Sequence, residues 1–192
     1  MTPHVTATVD LDTLTVEDIM VKQVITVAAD ASVSDLVRLL DYEQVSGVPV
    51  IDSHERLAGV VSATDVLRLV AHTSEIEAGG GQDIDADEMA DAPEQDAYHF
   101  FIDPTDRLTL GFRADEIGDD ALGDYRVSDI MTPATFTVRA NASVRELAQF
   151  LTRGRIHRAL VVDAGLLRGI ITTSDVVRAV AGDVTDLGGH TG

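Results

Sequence analysis

Two short stretches concentrate the groups able to do chemistry. Ser62-Ala63-Thr64-Asp65 and Thr172-Thr173-Ser174-Asp175 each follow an apolar run that begins at a glycine, Gly59 or Gly169, and each sets hydroxyls beside a carboxylate. At a strand-to-helix turn such a group stands among free backbone N–H groups, and its carboxylate can accept both hydroxyl protons of a ribose. Helix N-capping by the same side chains is the competing reading. A third stretch, Arg155-Ile156-His157-Arg158, precedes the apolar run Ala159 to Val162. Arginine offers a planar fork matched to phosphate oxygens, each charge-assisted bond being worth about 1.5–3 kcal/mol, and histidine adds a donor. The alternative for His157 and Arg158 is a solvated pair at a strand edge.

Charge distribution favours the phosphate reading. The chain of 192 residues carries a net charge of -19, yet residues 126–182 sum to +4, whereas 16–72 sum to -5 and 73–125 to -14. The one basic segment therefore holds the His-Arg pair, and a local field of that sign attracts anions whatever the net charge. The overall negative charge argues against general binding to nucleic acid or anionic lipid. A single lysine, Lys22, beside thirteen arginines accords equally with a salt-adapted and a high-GC source. No apolar run reaches the roughly 18 to 20 residues that span a bilayer, and the first residues lack a signal-peptide pattern, so a cytoplasmic protein is expected.

The elements that must position these groups come from an internal repeat. Val16-Glu17-Asp18-Ile19-Met20 matches Val127-Ser128-Asp129-Ile130-Met131, and Ala31 to Leu36 matches Ala142 to Leu147, both at an offset of 111. Past Asp52 and Asp163 the offset becomes 110, aligning Gly59 to Val66 with Gly169 to Val176. Each copy begins with a β-branched stretch, Val24 to Val27 or Thr135 to Val138. A helix follows, started by Ser32 or Ser143, with Leu36, Leu39 and Leu40, or Leu147, Phe150 and Leu151, at helical spacing. Two apolar runs around a polar turn then predict a strand pair. A last helix is expected near Thr64 or Ser174, with stripes of Val66, Leu67, Leu69 and Val70, or of Val176, Val177 and Val180. The reading is an α/β (α+β) protein of two β-α-β-β-α repeats, packed sheet to sheet as a pseudo-twofold pair around a shared cleft.

Asp-Ile-Met at the head of each copy, Ser-Gly-Val-Pro-Val-Ile-Asp in the first, and Gly-hydrophobic-x-Ser/Thr-x-x-Asp in both resemble the cystathionine β-synthase (CBS) domain family, arranged as a tandem pair or Bateman module. The resemblance covers residues 16–72 and 126–182, leaving 1–15 and 183–192 as tails. It implies that Asp65 and Asp175 hold a ribose, with Ser62, Thr64, Thr172 and Ser174 placed for hydroxyl or phosphate contacts. The pair His157-Arg158 is similar to the one that holds phosphates in the γ subunit of AMP-activated protein kinase. Val21, Thr132, Val50 and Val161 match the family's adenine-cradling walls, although Val50 and Val161 suit ordinary sheet packing as well. The first copy has Ser46-Gly47 in place of His157-Arg158, so two equivalent nucleotide sites are not expected.

The intervening 73–125 is acidic, with Gly79-Gly80-Gly81 and seven acids between Asp83 and Asp96. It is expected to be partly disordered or docked, with strands around 98–102 and 107–112. Asp83, Asp85, Asp87 and Glu88 lack the glycine and glutamate spacing of a helix-loop-helix calcium site, so no metal is expected. His99 is expected to pack or lie exposed. With no cysteine and no tight cluster among His4, His54, His72, His99, His157 and His190, catalysis is not expected. The expected function is regulatory: an adenosine-containing ligand, whether AMP, ADP, ATP or S-adenosylmethionine, shifts the repeats or two protomers of a homodimer, and an effector protein on another chain reads the change. A ligand-free homodimeric interaction scaffold is the competing function.

Overall fold

A computed structural model describes residues 10–77, 122–133 and 136–182, with side chains of 72–77 excluded. The expected strands and histidine of the acidic segment lie outside the described residues. In chain order the elements are α1 (Val16–Ile19), β1 (Val27–Ala28), α2 (Val33–Glu43), β2 (Gly47–Ile51), β3 (Leu57–Ser62) and α3 (Ala63–Glu77). They are followed by α4 (Val127–Ile130), β4 (Thr137–Val138), α5 (Val144–Gly154), β5 (Arg158–Asp163), β6 (Leu166–Thr172) and α6 (Thr173–Ala181).

Each copy builds its own three-stranded sheet, β1-β2-β3 and β4-β5-β6, the first pair parallel and the second antiparallel. The registers repeat as well: Val27 pairs with Val50, and Val138 with Val161. Serine starts both long helices as the sequence predicts. Ser32 Oγ accepts from the Asp35 N–H at 3.0 Å, and the Ser143 N–H reaches the Glu146 carboxylate at 2.9 Å. Leu36 and Leu147, on the inward stripes of α2 and α5, are fully buried. Both helices end on a left-handed residue that is not glycine, Gln44 at φ 55° and Arg155 at φ 52°. A side chain there costs about 1–2 kcal/mol, and the reversal buries Ile156 and leads directly into His157 and β5.

The chain divides into two compact units, and these cut it elsewhere than the repeats. One comprises Ile25–Thr135; the other joins Met1–Val24 to Phe136–Gly192. The Asp-Ile-Met segment of the first copy thus packs in the second copy's unit. There the N–H of Val16 bonds to the carbonyl of Ala142 (2.9 Å), the N–H of Val144 to that of Leu14 (2.9 Å), and Arg145 pairs with Asp12. Reciprocally, Val127 and Ser128 bond through their N–H groups to the carbonyls of Ala31 and Ala29, both at 2.9 Å, and Leu122 enters the first copy's core. The short helices α1 and α4 that carry these segments were not foreseen, because four residues are too few to display a helical period.

The last helix of the second copy departs from expectation. Val177 and Val180 are 66% and 58% exposed, and the residues α6 buries are Asp175 and Ala179. In α3, Val66 is buried as expected but Leu67 is exposed.

One pH effect arises from α1. The Thr15 hydroxyl and N–H both donate to the Asp18 carboxylate, at 2.7 and 2.9 Å, and these bonds hold the Asp18 carboxyl below its ordinary value of 3.8. A carboxyl depressed by folding stabilises the protein above its unfolded pKa, and the contribution fades as pH falls through the lower, folded value. Below about pH 3.8 the wild type is therefore expected to lose an advantage over Thr15→Ala that it holds at neutral pH, as read from urea midpoints measured at pH 7 and pH 3. A constant difference between the two proteins at both pH values would remove this role from Asp18.

Candidate functional site

In the unit containing the second copy, six of the singled-out residues, His157, Arg158, Val161, Thr172, Ser174 and Asp175, lie on or beside β5, β6 and the head of α6. Arg158 opens β5 opposite Thr172 at the end of β6, and the His157 carbonyl accepts from the Thr173 N–H at 2.8 Å. Arg158 is buried, 7% exposed, whereas His157 is exposed. The imidazole thus faces solvent, while the strand carries the guanidinium under cover.

Asp175 is 3% exposed. One of its oxygens accepts from the Thr172 hydroxyl at 2.7 Å and from the Thr172 N–H at 2.8 Å, while the Asp175 N–H reaches back to the Thr172 hydroxyl at 3.3 Å. This is a reciprocal cap on α6, and the helix start uses both side chains. The other carboxylate oxygen faces Arg178 at 3.5 Å. Ser174 is exposed at the same turn.

The first copy repeats the arrangement in the other unit. Asp65, also buried, accepts from the Ser62 N–H and hydroxyl, both at 2.7 Å, and faces Arg68 at 3.6 Å. The Ser46 carbonyl accepts from the Ala63 N–H at 2.9 Å, and Gly47 pairs with Ser62 where Arg158 pairs with Thr172. Thr64 lies half-buried in the first turn of α3. The backbone frames agree, and the cations differ. Arg68 and Arg178 are the aspartates' partners that sequence reasoning missed; their i,i+3 spacing and shared repeat offset were a legible signal.

The four wall residues divide. Val21 exchanges backbone hydrogen bonds with Ile170 at 2.9 and 3.0 Å, extending the sheet beside β6, and Thr132 does the same with Val60 at 2.9 and 2.8 Å. Both keep part of their surface exposed. Val50 and Val161 are fully buried in the middle of β2 and β5, so their side chains are core. The Thr132 hydroxyl is itself buried and has no hydrogen-bond partner. Among the described residues no group of acids and histidines is arranged to hold a metal, and no helix is long and apolar enough to cross a membrane.

Fold and turns together define a duplicated α+β repeat that closes, in each copy, on a buried and capped aspartate. The chain belongs to the CBS domain family, whose model matches residues 16–72 and 127–182. Among curated relatives, the chloroplastic CBS domain-containing protein CBSX2 of Arabidopsis thaliana is 31% identical over 154 residues, which are 80% of this chain and 57% of CBSX2. The chain thus spans little more than half of that relative's length. CBSX2 has been solved in complex with AMP; that structure is 27% identical, with a TM-score of 0.55 over 88% of this chain and 97% of that one. The CBS domain of a bacterial CNNM/CorC family Mg2+ transporter, solved with ATP, shares the fold at a TM-score of 0.55 and 21% identity, over 90% of this chain and 91% of that one.

Proposed function

We propose that this CBS pair is a cytoplasmic regulatory protein that binds an adenine nucleotide (AMP, ADP or ATP) and acts as an energy or metabolite sensor for an effector on another chain. The observation that carries the reading is the buried guanidinium of Arg158, held in register with Thr172 next to the capped Asp175. A guanidinium at that place offers a planar fork of donors that matches phosphate oxygens. The relative solved with AMP supports the nucleotide class. S-adenosylmethionine shares the ribose and adenine but lacks the phosphates that Arg158 and His157 suit, and ranks below the nucleotides. The reading has no catalytic step and needs no obligatory cofactor or metal. It includes self-association, for which the exposed Leu67, Val177 and Val180 are the observation; if no ligand binds, that association is the function.

Isothermal titration of nucleotide-free protein with AMP, ADP, ATP and S-adenosylmethionine tests it. Arg158→Ala should weaken nucleotide binding by about 10- to 100-fold, the equivalent of losing one or two charge-assisted bonds. Asp175→Asn should also weaken it while retaining an acceptor for the Thr172 N–H. Circular dichroism verifies that both variants are folded. Absence of heat with all four ligands, at protein concentrations far above the micromolar range, overturns the sensor reading in favour of the scaffold.

A further inference from the structure

Strand β4 is the outer strand of the β4-β5-β6 sheet, and among the described residues no strand pairs with its other edge. The Phe136 carbonyl accepts from the Leu160 N–H at 3.1 Å on the β5 side, so Thr137, the next residue, turns its own N–H and carbonyl outward. An open edge of this kind is a template for a further extended segment. Beside it, between β4 and α5, runs a groove lined by Val138, Leu147 and Phe150 and rimmed by Arg139 and Arg153.

The chain itself reaches the mouth of this groove. The Leu11 carbonyl accepts from the Arg145 N–H at 3.2 Å and Asp12 pairs with the Arg145 side chain, next to Glu146 and Ala142 at the groove's near end. Residues 1–9 lie outside the described residues, and Val5-Thr6-Ala7-Thr8-Val9 alternates apolar and polar side chains without a charge. Such alternation marks a strand with one buried face. Five extended residues span about 16 Å, enough to follow the roughly 10 Å of α5 from Glu146 to Arg153. The cover over this end is also incomplete: Leu122 is 2% exposed in the first copy's core, whereas Leu11, its counterpart at the repeat offset, is only half-buried.

We infer that residues 5–9 of this chain add to the open edge of β4 as a fourth strand and turn Val5, Ala7 and Val9 into the groove. Entry from Asp10 at the Ala142 end, toward which β4 runs, makes the added strand parallel to β4. Main-chain hydrogen bonds along the edge hold it, and its apolar side chains cover Val138, Leu147 and Phe150. Carrying no acid or base, the segment leaves Arg139 and Arg153 solvated at the rim. Attachment a few residues away raises its effective concentration to about the millimolar range, which favours it over a free partner.

Hydrogen exchange and disulfide trapping on the full chain test it. The Thr137 amide should exchange about tenfold or more slower in the wild type than in the protein carrying Val5→Lys and Val9→Lys, where two cations would stand beside Arg139 and Arg153. The sequence has no cysteine, so an introduced pair is unique. Ala7→Cys with Gln149→Cys should bridge within one chain under mild oxidation, and Ala7→Cys with Arg168→Cys, on the far strand of the sheet, should not. Gln149 and Arg168 are exposed, and circular dichroism verifies folding. Equal exchange at Thr137 in the wild type and the lysine variant overturns the strand addition. Fast exchange in both leaves the edge open; slow exchange in both gives it to another occupant, a second copy if dilution releases it and the acidic 78–121 segment if dilution does not. A Gln149→Cys pair that bridges no more than the Arg168→Cys pair overturns it as well.

Discussion

Gly169→Val is expected to destabilise the protein by about 3–5 kcal/mol, through overpacking and the loss of two backbone hydrogen bonds. A Cβ at this position would lie 2.7 Å from the Val21 carbonyl oxygen and 2.8 Å from the Met20 sulfur, closer than real contacts allow. The backbone is not the reason for glycine here, since Gly169 does not have a positive φ. The reason is approach: Val21 and Ile170 exchange bonds across the space a side chain would fill. Displacing Met20 and Val21 frees the segment that ties α1 to the second copy's sheet. Gly59 plays the same part in the other unit, where its Cβ would run into the Thr132 carbonyl. Thermal unfolding followed by circular dichroism should place both valine variants on the order of 10 °C below the wild type. A midpoint within a degree or two would mean that the opening segments contribute little to either unit.

Leu36→Ala and Leu147→Ala should each cost about 2–5 kcal/mol, the transfer term plus the cavity left behind. The two leucines occupy equivalent positions, and neither retains appreciable exposure. Leu36 sits among Val33, Leu40, Val48 and Val61 in a core with little room to collapse. Leu147 borders a surface groove lined also by Phe150, whose ring packs edge-on against Phe136 at 6.3 Å, so its surroundings have more freedom to close. Leu36→Ala is therefore expected to be the costlier, and urea unfolding of the two variants decides it. The opposite order would locate the tighter core in the second copy's unit.

The comparison of these residues marks how far the sequence reaches. The serines that start α2 and α5, the leucine stripes and the strand pairs were legible because each rests on contacts a few residues apart, where the spacing is itself the signal. The turns at Ser62–Asp65 and Thr172–Asp175 were legible as sites, yet the sequence left capping and ligand contact as rivals; the structure makes Thr172 and Asp175 share the cap, with the second carboxylate oxygen facing Arg178. Val177 and Val180 read as core from periodicity alone, but a period records where apolar residues recur and not whether anything covers them.

By itself the sequence determined the duplicated repeat, its element order, and the unequal charge of the two copies, since all three are written in local pattern and composition. Only the tertiary structure decided that the opening segments are exchanged between units, that Arg158 is buried while His157 is not, and that Gly59 and Gly169 are required by close approach. The exchanged segments and the two glycines depend on contacts between residues far apart in the chain, such as Val21 with Ile170 and Val60 with Thr132, and no local spacing encodes which distant backbone will arrive.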